Sequence, residues 1–87
     1  MPWAVNQRRM RYNRELTPTE ERRLDEFVYL IGERNMHPSE AARQTSFNAR
    51  YEKLDGDQSQ IRLSNLSRLS FWVREAEKLV EFRQVGA

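Results

Sequence analysis

The sequence predicts an α+β fold in which an N-terminal helical hairpin packs on a small, mainly antiparallel C-terminal sheet. Three observations carry the prediction. Leu24, Phe27, Val28 and Ile31 recur at spacings of three and four, the period of a helix with one apolar face. Beyond Phe47 the period changes to alternation, as half-buried strands require. Three alternating runs in that second half are separated by short polar turns, so neighbouring runs should pair antiparallel. The chain of 87 residues forms one domain, residues 1–87, and at this size only about 60% of the unfolded surface can be buried.

The elements follow in order. Trp3, Val5 and Met10 fit neither period, and the segment holding them reads as a short edge strand followed by a helix. Thr17-Pro18-Thr19-Glu20 is a helix start: Thr17 caps, Pro18 suits the first helical position, and Glu20 stands where a capping box needs it. That helix begins at Pro18 and ends near Gly32 to Arg34. His37-Pro38-Ser39-Glu40 restarts the chain, and Ala41-Ala42-Arg43 continue a short second arm. Asp55-Gly56-Asp57 is a turn before Gln60-Ile61-Arg62-Leu63, and Ser64-Asn65-Leu66-Ser67 a second turn before Arg68 to Val73. Arg74 to Lys78 forms a polar connection to the last strand, Leu79 to Val85.

Composition narrows the chemistry. The absence of cysteine removes disulfides, thiolate metal ligands and a cysteine nucleophile together, and suits a reducing cytosol, so a cytoplasmic location is expected. No apolar run approaches the roughly 18 residues of a membrane span, and Met1-Pro2-Trp3-Ala4-Val5 lacks the apolar core of a signal peptide. No membrane partner is expected. His37, the one histidine, has neither a second histidine nor a cysteine to share a metal, and reads as a turn or capping residue; no metal and no cofactor are expected. The formal charge is only +2, yet Lys53 and Lys78 are the only lysines among fifteen basic residues. An arginine-dominated set favours phosphate or acidic-protein partners, because the guanidinium fork binds an anion at two points. Arg8, Arg9, Arg11 and Arg14 stand in an N-terminal stretch without an acid, suited to ribosomal RNA, to an acidic protein, or simply to water.

Alternation sorts the strands into two faces. Ile61 and Leu63, then Leu69, Phe71 and Val73, then Val80 and Phe82 fall on one side, to meet the Leu24-Phe27-Val28-Ile31 stripe. Arg62, Arg68 and Arg83 fall on the other with Trp72, Gln60 and Ser70. Such a face can hold a nucleic-acid backbone on its arginines while Trp72 stacks on a base. The same pattern also suits an ordinary half-solvated sheet. Phe47, Tyr51 and Tyr12 read as core and rim aromatics.

The residues of the second half resemble the RelE/ParE superfamily of small bacterial toxins. Lys53-Leu54-Asp55-Gly56 is similar to the family's Leu-x-Gly turn, Ile61-Arg62-Leu63 to its basic-centred strand, and Arg68-Leu69-Ser70-Phe71 to the Arg-aliphatic-x-aromatic strand that follows. Val80 to Gly86 matches the last strand with its Val-Gly end. The likeness is tight over about forty residues and only topological before Phe47. It implies a toxin neutralised by a cognate antitoxin, acting either as a ribosome-dependent endoribonuclease on messenger RNA, like RelE, YoeB and HigB, or as an inhibitor of DNA gyrase, like ParE.

For the nuclease branch, the resemblance assigns Arg68 to the scissile phosphate, Arg62 to charge stabilisation and Glu52 to the general base used in the YoeB branch. Lys53, Trp72 and Arg83 are the expected RNA-binding residues. Metal-independent cleavage by the 2′-hydroxyl needs a base, cations for the developing phosphorane charge, and an acid for the leaving oxygen. Family members place that acid, a His, Tyr, Arg or Lys, just after the last strand. Here Ala87 follows Gly86, so the chain as it stands is expected to lack the usual acid. Strict alternation puts Glu52 on the side of Leu54, so a bend or bulge is expected to bring it to the arginines. A gyrase inhibitor without nuclease activity and a non-catalytic nucleic-acid-binding module are the alternative functions.

Overall fold

A computed structural model describes residues 2–86. Helix α1 spans Pro18–Gly32, and the predicted capping box is complete: Thr17 Oγ1 accepts from the Glu20 amide at 3.2 Å, while a Glu20 carboxylate oxygen accepts from the Thr17 amide at 2.9 Å. Helix α2, Pro38–Gln44, follows after a short loop, with His37 as its N-cap: the ring Nδ1 accepts from the Ser39 amide at 3.1 Å.

The strands are β1 (Ala4–Asn6), β2 (Arg11–Tyr12), β3 (Tyr51–Lys53), β4 (Gln58–Arg62), β5 (Arg68–Arg74) and β6 (Leu79–Gly86). They form one mixed sheet in the order β1-β6-β5-β4-β3, with β2 also pairing with β6. The result is an α+β fold of two helices and a mixed six-stranded sheet. Four consecutive strands, rather than three, make the antiparallel meander, because Tyr51–Lys53 pairs with Ser59–Ile61. The N-terminal segment supplies the edge strand expected there, running parallel to β6, but the next element is the short strand β2 rather than a helix. Asn6 Oδ1 accepts from the Arg8 amide and turns the chain out of the sheet, which it rejoins at Arg11.

The last strand departs from simple alternation at one point. Leu69 and Ser70 pair with Val85 and Gln84, but Phe71 pairs with Phe82, so Arg83 is an extra residue in a β-bulge. The bulge shifts the phase by one residue and lets Val80, Phe82 and Val85 all reach the core. Gly86 ends the strand at φ +128°, where a Cβ would come within 3.0 Å of Asn13 Cβ and 3.1 Å of the Arg14 nitrogen. Close approach of the N-terminal segment explains the glycine of the Val-Gly pair.

One apolar core fills the space between the helices and the sheet. Phe27 contacts Phe71 and Phe82 at ring-centroid distances of 5.6 and 6.3 Å, and Leu24, Ile31, Ile61, Leu63, Leu69 and Val80 are buried around them. Leu30 is more deeply buried than Val28, which packs at the margin. Trp3 is buried at the other end, its ring edge-on to His37 at 5.1 Å. Tyr12, expected in the core or at its rim, is instead exposed on β2. No helix among the described residues is long and apolar enough to cross a membrane.

Candidate nucleic-acid interface

The pairing register decides what the solvent face of the sheet presents. Ile61 lies in the core, so its partner Tyr51 points inward and the next pair, Glu52 with Gln60, points out. Gln60 pairs in turn with Ser70, and Ser70 with Gln84. A row of polar side chains therefore crosses four strands, and Gln60 Nε2 donates to a Glu52 carboxylate oxygen at 3.2 Å. The expectation that Glu52 needs a bulge to reach this face is corrected. Leu54 lies beyond the end of β3, so its position does not set the parity of Glu52.

One row along, Arg62 of β4 stands directly opposite Arg68 of β5, and Arg68 is opposite Gly86. Two guanidinium groups on facing positions repel and cost stability. Among the described residues neither takes part in an ion pair. Glu52 is a diagonal neighbour of Arg62, about 7–8 Å away between backbones, one row from the arginine pair. Glu52, Arg62 and Arg68 thus share the outward face, with Arg62 and Arg68 adjacent.

Trp72 and Arg83 occupy the same face at its other end. Together with Arg9, Arg11, Arg74 and Gln84 they line a recess of about 410 Å³. The bulge carries Arg83 outward beside Gln84, and β2 brings Arg11 opposite Gln84. Glu81, the one acid there, is engaged by Arg74 Nε at 3.1 Å, and the Arg74 guanidinium lies 5.9 Å from the Trp72 ring centroid. Arg9, Arg11 and Arg83 remain outside any ion pair among the described residues. Three uncompensated arginines beside a half-buried indole suit a phosphate chain with a stacked base. The N-terminal arginines are visible in the sequence as a group, but their place beside Trp72 depends on parallel pairing with a strand some seventy residues away.

Lys53 is separated from this set. It pairs with the buried Ser59 and lines a cleft on the helix side of the sheet with His37, Tyr51, Ser39 and Glu75. There His37 Nε2 lies 3.1 Å from Glu75, linking the α2 cap to the β5–β6 connection. Burial pushes the Tyr51 hydroxyl above its usual pKa, against a hydrogen bond to Ser59. Ala87, where the resemblance locates the general acid, lies outside the described residues. No protein-family model matches the chain, and no curated protein matches it in sequence.

Proposed function

We propose that this protein is the toxin of a toxin–antitoxin pair, of the RelE/ParE type, which cuts messenger RNA on the ribosome. The observation that carries the reading is the register of β3, β4 and β5, with Glu52, Arg62 and Arg68 on one open face and the two arginines unpaired. In this reading Glu52 takes the proton of the RNA 2′-hydroxyl, whose oxygen attacks the adjacent phosphorus. Arg62 and Arg68 hold the phosphorane oxygens as negative charge builds on them, and the P–O5′ bond breaks to leave a 2′,3′-cyclic phosphate. The resemblance expects the donor of the proton to the 5′-oxygen just after Gly86, where this sequence has Ala87, so the departing 5′-oxygen takes its proton from solvent water. Trp72, Arg83, Arg9 and Arg11 grip the strand away from the cut. The antitoxin covers the arginine face, and the open edge at β3 offers it backbone groups to pair with. Both partners act in the cytoplasm.

Controlled expression with mapping of messenger RNA 5′ ends tests the proposal. New ends inside translated codons, coinciding with growth arrest, are expected, and Arg68→Ala should abolish both while the circular dichroism spectrum is unchanged. Arrest with intact messages overturns the nuclease reading. Loss of DNA supercoiling by gyrase in the same cells would point to the ParE-like activity instead.

A further inference from the structure

A second recess, of about 400 Å³, lies where the α2–β3 loop meets the β4–β5 turn. Arg23, Arg50 and Arg62 reach into it from a helix, a loop and a strand, with Asn48, Ser64 and Asn65 completing the polar lining. Among the described residues no carboxylate lines it. Arginines converging without an acid raise each other's electrostatic energy, and a bound anion removes that cost.

The walls are fixed before any ligand arrives. On the loop side, the buried Thr45 hydroxyl donates to the Ala42 carbonyl at 2.8 Å and accepts from the Ala49 amide at 2.9 Å. Glu26 accepts from both the amide and the hydroxyl of Ser46, at 2.9 and 2.8 Å. On the turn side, the Ser64 hydroxyl donates to the Glu20 carboxylate, Arg14 donates to the Ser67 hydroxyl, and the Leu63 amide donates to the Ser67 carbonyl at 2.9 Å. Arg23 is itself held, its Nη1 donating to the Leu63 carbonyl at 2.6 Å and its guanidinium lying 4.9 Å from the Phe47 ring centroid. Its other N–H groups make no hydrogen bond among the described residues. Arg50 and Arg62 stand outside every ion pair among those residues. A site whose walls and first cation are already ordered loses little entropy on binding.

We infer that this recess is a phosphate-binding pocket in which Arg23, Arg50 and Arg62 together clasp one phosphate group. Resting on the function proposed above, that phosphate is a phosphodiester of the RNA strand next to the one cut at Arg62 and Arg68. Arg62 faces both places, so the strand leaves the sheet over β4 toward α1. The pocket then sets which way the strand runs and holds it when the scissile bond is broken.

Two measurements on the full chain test the inference. In a titration with inorganic phosphate followed by NMR, the Arg23, Arg50 and Arg62 Nε–Hε signals and the Asn48 and Asn65 amides should shift together, while Arg22 and Arg43 stay still. With a short single-stranded RNA, Arg50→Gln should weaken binding about threefold or more and reduce the slope of log affinity against log salt by about 0.7, with Arg50→Lys restoring most of both. Arg50 is exposed, so the substitution leaves the fold intact, and Arg22→Gln serves as the control. An unchanged slope in Arg50→Gln, or phosphate shifts confined to other residues, overturns the pocket even if the protein cuts RNA. Phosphate shifts and a lowered slope in a protein that leaves messages intact keep the pocket and remove the nuclease reading.

Discussion

The two faces of the sheet are made by the same strands yet treat polar groups in opposite ways. Strand β5 sends Leu69, Phe71 and Val73 inward and Arg68, Ser70 and Trp72 outward. Where an acid is enclosed, as at Glu20, every partner is supplied: the Ser64 hydroxyl, the Thr17 amide and Arg14 surround the carboxylate. Outside, among the described residues, Arg62 faces Arg68 with no acid between them, and Glu52 is satisfied only by an amide. Satisfied polar groups build the fold. Unsatisfied like charges on an open face cost stability and add nothing to the fold.

Replacements on either face break or sharpen this contrast. The largest effect belongs to the core: Phe71→Ala should cost about 3–5 kcal/mol in urea denaturation, whereas Trp72→Ala, one residue along, should cost less than half of that. Comparable losses at the two positions would show that Trp72 belongs to a second packed layer rather than to a binding face.

Next comes the enclosed acid. Hydrogen bonds from Ser64 and from the Thr17 amide, aided by Arg14, pull the Glu20 carboxyl from an ordinary pKa of 4.5 to about 2 against the effect of burial. A depressed carboxylate pKa stabilises the folded protein above the unfolded value, and that stability drains away as pH falls from 4.5 toward about 2. Glu20→Ala should cost about 2–3 kcal/mol at neutral pH, as the capping box and the link to the β4–β5 turn are both lost. Glu20→Gln should flatten the fall in stability across that acid window. A pH profile identical to that of the unaltered protein would remove Glu20 as the cause.

The smallest effect is on the outward face. Arg68→Gln should change stability by no more than about 0.5 kcal/mol, and in the stabilising direction, because it relieves the repulsion across β4 and β5. A loss of 2 kcal/mol or more would mean that Arg68 supports the fold and that its exposure has no bearing on binding.

Much of the architecture is written locally. Thr17, Pro18 and Glu20 specify the start of α1 through hydrogen bonds within one turn of helix, and His37 with Pro38 does the same for α2. Alternation through Ile61, Leu69 and Phe71 separates core from solvent because neighbouring strand residues point in opposite directions. The outward placement of Arg62, Arg68 and Trp72 follows from that alternation alone. Everything that required a partner distant in sequence had to wait for the tertiary structure. Strand β3 is three residues long and carries no period of its own, so only pairing with β4 reveals that Glu52 lies on the face of the sheet away from the helices and Lys53 on the helix side. The bulge at Arg83 is a mismatch between two strands and is invisible in either. Arg9 and Arg11 line one recess with Trp72, and Arg23 lines another with Arg50, because segments that share no local pattern come together there. Periodicity reports a residue's own environment; which charges meet is decided by how the chain closes on itself.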